Sequence, residues 1–276
     1  MNRTKIEWVR NPDGSQGYTW NPITGCLNGC PYCFARKLAE SRLEKWYLGN
    51  NNIAPFSGLP HGLGYIAPGV NPFYPRFWPE KLNEPMIKYR RWGKHSSVCH
   101  DQSAKGIFTC DMSDLFGIGI PTEWTQAVLD TIRSCPQHRF YLLTKQPWNL
   151  KRWSPFPDNC WVGVSATNDN MALEAMLILP KIEAKVKFIS FEPLHSAITL
   201  PVAVSLNLGS FHYPLEWLDW LIIGAETGNR KEKPPLSEVH KWAKEIIAAA
   251  DEAGIPLFIK DNLKWPVKRQ EWPLTK

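Results

Sequence analysis

The chain has 276 residues, of which 43% are hydrophobic and 21% charged, with a formal net charge of +6. This composition belongs to globular proteins and excludes a long disordered polymer, and no apolar run approaches the roughly 18 residues that a membrane span needs. The charge permits a polyanionic partner such as nucleic acid without arguing for one. The opening "MNRTKIEWVR" lacks the apolar stretch of a secretory leader, so a soluble, cytoplasmic protein is expected. Seven cysteines is an odd number, and those outside one cluster are scattered at 99, 110, 135 and 160, which is no disulfide framework.

In chain order, "GYTW" reads as a short strand, and "NPITGCLNGCPYCFARKLAE" (21–40) then places three cysteines within eight positions. The segment "FARKLAESRLEKWYL" has helical periodicity, so a helix should follow the third cysteine directly. Residues 49–105, rich in Gly, Pro, Asn and aromatics, read as an irregular insertion in a single domain spanning 1–276. From residue 106 six short, continuous apolar runs follow: "GIFTCD", "RFYLLTK", "CWVGVSA", "VKFISFE", "WLIIGAE" and "PLFIKD". Runs of this kind are what buried parallel strands require. Helices are expected over "TEWTQAVLDTIRSC", capped by Thr122, and "SEVHKWAKEIIAAADEAG", opened by Ser237 and closed by Gly254. About seven strands alternating with helices predict an α/β fold, an incomplete or complete parallel barrel.

Polar residues gather at the C-terminal ends of these runs: Asp111, Ser113 and Asp114; Thr144 and Lys145; Ser165, Thr167 and Asn168; Glu192; Glu226; Lys260. In parallel barrels that edge carries the active site. The plain alternative for any one of them is a helix cap or a solvated loop.

The three thiols are Cys26, Cys30 and Cys33. A structural zinc site usually takes four Cys or His ligands in two spaced pairs, and no second pair follows in the sequence. Three thiolates on one tight loop suit three corners of an iron-sulfur cube, leaving one iron open to a substrate or cofactor. Gly25 and Gly29 let the loop curl, and Tyr32 adds an aromatic surface beside it. A zinc site completed by a distant His, or thiols without metal, remain as alternatives.

The loop, set after a first strand and before a helix, resembles that of the radical S-adenosylmethionine superfamily. Together "IEW", "TWNPITGC", "CDMSDLFG", "HRFYLLTK", "VGVSATN", "FISFEPL", "GAETG" and "PLFIKD" are similar to a phage-associated family of uncharacterised proteins found beside a three-Cys-motif partner protein. The resemblance implies a [4Fe-4S] cluster on Cys26, Cys30 and Cys33, with S-adenosylmethionine on the fourth iron. It further implies a one-electron donor, reductive cleavage to a 5'-deoxyadenosyl radical, and hydrogen abstraction from a substrate, perhaps a nucleic-acid base or a peptide. The superfamily's Gly-Gly-Glu element is replaced here by "CDMSDLFG", so Asp111, Ser113 and Asp114 become candidates for the methionine ammonium. Ser165, Thr167 and Asn168 are candidates for the ribose, and Glu192 and Glu226 for cofactor or substrate. Lys145 and Lys260 could neutralise a substrate phosphate or carboxylate.

A second reading is a non-catalytic metal-binding protein that binds nucleic acid. Its contact surface would be Phe73, Tyr74, Arg76, Phe77 and Trp78 with Lys88, Tyr89, Arg90, Arg91 and Trp92, cations interleaved with aromatics. The same residues could instead fold the insertion onto the barrel.

Overall fold

Continuous apolar runs bury both faces of a strand, which is why parallel sheets of α/β proteins read as they do here. The structure, a computed structural model, describes residues 1–55, 68–86, 103–200, 204–206, 209–211 and 215–273. The chain divides into two compact units, Met1–Leu142 with Pro157–Cys160 and Leu143–Phe156 with Trp161–Lys276. Among the described residues no helix is long and apolar enough to cross a membrane.

The first unit contains β1 (Asn2–Arg3), β2 (Tyr18–Trp20), β3 (Ile23–Thr24), α1 (Phe34–Ala39), α2 (Glu44–Leu48), β4 (Arg76–Phe77), β5 (Gly106–Thr109), α3 (Thr122–Arg133) and β6 (Arg139–Thr144). Strand β2 pairs in parallel with β5, and β5 with β6, while β1 adds an antiparallel edge. The hairpin-like pair β3 and β4 sets Ile23 opposite Phe77. The helix expected over 34–48 is two short helices. Ser41 Oγ donates to the Lys37 carbonyl at 2.6 Å, and such a side-chain bond competes with the helical ladder.

The second unit contains β7 (Cys160–Ser165), α4 (Asp169–Ile178), β8 (Val186–Phe191), β9 (Val204–Leu206), β10 (Gly209–Phe211), β11 (Trp220–Ile223), α5 (Leu236–Ala253) and β12 (Leu257–Ile259). Strands β7, β8, β11 and β12 pair in parallel in that order. All seven expected strands therefore form, and the fold is α/β with mostly parallel strands. Trp220 is fully buried, with Trp161, Phe188 and Phe258 rings within 5.6–6.1 Å.

Helix ends correct two expectations. Pro121 and Pro235, not Thr122 and Ser237, precede α3 and α5, their ring-fixed φ of −58° and −63° suiting a helix entry. Gly254 does end α5, with φ +66°.

Candidate functional site

The cysteine loop begins where β3 ends. Gly25 adopts φ +82°, and a Cβ there would stand 2.4 Å from the Tyr74 carbonyl oxygen, so only glycine fits. Gly29 also takes positive φ, +68°, but in open space. Cys30 lies near enough for its charge to bear on both Cys26 and Cys33, and Cys33 near enough to bear on Cys26. All three are half-buried.

Backbone amides point at the sulfurs. Asn28 N–H donates to Cys26 Sγ at 3.4 Å, and Arg36 N–H to Cys33 Sγ at 3.3 Å, with Cys33 capping α1. Burial pushes the Cys26 and Cys33 thiols up from their ordinary range, and Asp114 adds to the effect at Cys26. Thiols so placed hold their charge only with a cation beside them, and amides directed at sulfur are what tune a thiolate-bound cluster. Three cysteine sulfurs on one loop are the ligand chemistry of an iron-sulfur cube, which takes its sulfurs at separate corners. Among the described residues, no three His, Cys, Asp or Glu side chains are grouped as they would be around one metal ion.

Asp111, Ser113 and Asp114, expected as cofactor contacts, stitch the loop to the end of β5. Asn21 Nδ2 donates to Asp111 Oδ1 at 2.5 Å, and Asn21 Oδ1 accepts from Met112 N–H at 3.0 Å. Ser113 Oγ donates to the Gly25 carbonyl at 2.5 Å, and Gly25 N–H to the Met112 carbonyl at 2.9 Å. Asp114, buried, accepts from Asn28 Nδ2 and from Phe116 N–H. Burial pushes the Asp111 carboxyl up to about 6, the Asn21 hydrogen bond pulling the other way. Tyr32 is half-buried next to Cys33. Asn21 and Asn28 escaped the sequence reading because an Asn carries no local signature of its partner.

The described part of the segment expected as an insertion packs against the loop. Phe73 and Trp78 join Ala35, Ala39, Tyr47 and Met112 in a buried cluster against which Cys26 and Cys33 pack. Cys26 N–H donates to the Phe73 carbonyl at 3.1 Å. Arg76 is fully buried, its guanidinium spread over the carbonyls of Asn50, Asn71 and Tyr74 at 2.8–3.2 Å. Phe77 stacks on Trp124 at 5.2 Å. Phe73, Tyr74, Arg76 and Trp78 thus do not form the nucleic-acid surface expected of them, since buried rings cannot stack on bases and Arg76 is satisfied by carbonyls. Lys88, Tyr89, Arg90, Arg91 and Trp92 lie outside the described residues.

In the second unit Ser165 and Thr167 are buried, and Thr167 Oγ1 contacts Met171 Sδ at 3.4 Å. Asn168 caps α4, accepting from Met171 N–H at 3.0 Å. Glu192 and Lys260, expected separately, form an ion pair with each other. Gly224 leaves room for it: a Cβ there would stand 3.0 Å from Lys260 Cδ and 3.2 Å from Glu192 Cδ. Glu226 is held by Arg230 through two bonds of 2.9 Å and faces His195 Nε2 at 2.7 Å. Arg230 first, and His195 with it, holds the Glu226 carboxyl below the usual carboxylate range. Lys145 is half-buried at the end of β6. His195 and Arg230 went unread because neither carries a local signature of the carboxylate it meets.

No curated protein and no solved structure matches the chain. A family model described as "Protein of unknown function (DUF5131)" matches residues 3–272, nearly the whole length, and the chain belongs to that family.

Proposed function

We propose that the chain is an enzyme of the radical S-adenosylmethionine type, with Cys26, Cys30 and Cys33 as ligands of a [4Fe-4S] cluster. The observation that carries the reading is the loop itself. Three half-buried thiols lie on one loop after β3 that turns at Gly25 and Gly29, with amides donating to two of the sulfurs. Such a cluster, when bound, supplies the single electron for cleaving S-adenosylmethionine.

On this reading the parallel strands and intervening helices belong to a barrel of the radical S-adenosylmethionine type. Asp111 offers carboxylate charge to the cofactor's ammonium, while Ser113 and Asp114 set the loop's position. Ser165 and Thr167 keep the role expected of them. Asn168 is taken up as a helix cap and Glu226 by its neighbours. A one-electron donor, an as yet unidentified substrate and the three-Cys-motif partner protein complete the proposed set of partners.

Anaerobic reconstitution with iron and sulfide tests the reading. Roughly four iron and four sulfide per chain are expected, and reduction in the presence of S-adenosylmethionine should release 5'-deoxyadenosine. Cys30→Ala should end that release while leaving the far-ultraviolet circular dichroism unchanged. A zinc-loaded chain without turnover, or full cleavage by the variant, overturns it.

A further inference from the structure

The stretch after β6 presents an aromatic ring to solvent and sets positive charge around it. Pro147–Trp153 is a 3-10 helix, in which residues three apart lie one above the other. Pro147, Leu150 and Trp153 form the buried row that seats this helix, and Trp148 and Lys151 form an outward row. Trp148 is 53% exposed, and the Lys151 ammonium stands 5.8 Å from its ring centroid, within cation–π range. Arg152, also exposed, has its guanidinium 4.8 Å from the Trp153 ring. The support is firm. Gln146 N–H donates to Thr144 Oγ1 at 2.9 Å, tying the helix entrance to the end of β6, and Asn149 N–H donates to the Gln146 carbonyl at 3.1 Å.

Charge decides what such a ring suits. Residues 143–156 contain Lys145, Lys151 and Arg152 and no acid. Glu183, whose backbone bonds to Ser154 and Phe156, lies in sequence between Lys181 and Lys185. Helix α4 packs against the 3-10 helix and carries Asp169 and Glu174, of which Asp169 accepts from Thr199 N–H. Cations still outnumber acids. Trp46 in the first unit makes the contrast: it is 48% exposed with Lys81 at 4.3 Å from its ring, but Glu44 adjoins Lys45 and Glu80 adjoins Lys81.

We propose that the 3-10 helix Pro147–Trp153 is a docking site for single-stranded nucleic acid, one unpaired base stacking on Trp148 while Lys151, Arg152 and Lys145 neutralise the flanking phosphates. The chemistry selects this partner. Every base has a face that an indole accepts whatever the sequence, and each base comes with phosphates on both sides for the cations. A duplex keeps its base faces covered by their neighbours, and an acidic peptide brings charge without an obligatory ring. Base and phosphate are common to DNA and RNA, so the site takes either strand.

The test uses the full-length chain as purified and needs neither iron nor S-adenosylmethionine, so its outcome is independent of the cluster reading. Fluorescently labelled DNA and RNA strands of about 12 nucleotides, and the matching DNA duplex, are the probes, with binding followed by anisotropy over a range of salt. Trp148→Ala should weaken single-strand binding about five- to a hundredfold, Trp148→Phe by less, with duplex binding and circular dichroism unchanged. Lys151→Gln should make the salt dependence shallower by about 0.7 in the slope of log affinity against log salt. Trp46→Ala should leave the affinity as it is. Neither tryptophan change alters the net charge, so attraction to the chain's general positive charge responds to neither. Failure of both single strands to bind at low salt, an affinity indifferent to Trp148→Ala, or an equal loss with Trp46→Ala overturns the proposal.

Discussion

Asn28 Nδ2 donates to Asp114 Oδ2 at 2.8 Å, tying the middle of the cysteine loop to the turn after β5 across 86 residues of sequence. Because Asp114 is buried, that bond is shielded from water and its loss leaves a charged acceptor short of a donor. A double-mutant cycle on Asn28→Ala and Asp114→Ala should return a coupling of about 1–2 kcal/mol in urea unfolding. Asp114→Ala should cost more alone, since Asp114 also accepts from Phe116 N–H. Strict additivity of the two changes would show that the contact does not hold the loop.

The two glycines of the loop should respond unequally. Gly29→Ala meets only the backbone penalty of positive φ, about 1–2 kcal/mol. Gly25→Ala adds a collision with the carbonyls of Phe73 and Tyr74, rigid atoms that cannot swing aside. Its cost should reach about 3 kcal/mol or more, with a parallel fall in iron retained after reconstitution. Thermal melts of the two variants check the order, and equal melting temperatures would contradict it.

Asp111 gives the chain a pH signature. Its carboxyl is pushed up to about 6 by burial, from an ordinary 3.8, so the folded state holds that proton more tightly than the unfolded chain does. The sign follows directly: its contribution is fully present below about 3.8 and is lost as pH rises through about 6. Asp111→Asn, which can still accept from Asn21, should therefore be more stable than the native chain at pH 7.5, by something on the order of 1–3 kcal/mol. The advantage should vanish by pH 4. Denaturant midpoints measured across that pH range decide it; a gap of constant size would mean that Asp111 does not titrate in the window.

The spacing of the three thiols and the identity of seven strands were legible in local pattern. Each apolar run from "GIFTCD" to "PLFIKD" became a strand because a segment buried on both faces must be apolar throughout, and that shows in any one sequence. Arg76 shows where the same kind of reading misleads. Arginine among aromatics looks like a contact surface, yet its five donors can equally be satisfied by carbonyls of a tightly folded loop, and only the folded chain shows which.

The sequence by itself determined the seven apolar runs that became β2, β5, β6, β7, β8, β11 and β12 and the spacing of Cys26, Cys30 and Cys33, since hydrophobic periodicity and covalent spacing are local properties; β1, β3, β4, β9 and β10 were too short to leave such a pattern. Which polar groups meet was decided by tertiary structure alone. Lys260 finds Glu192, Asn28 finds Asp114 and His195 finds Glu226 from 68, 86 and 31 residues away. A buried charge or amide needs a partner of the right kind, but the chain carries many, and only the packing of strand ends chooses among them.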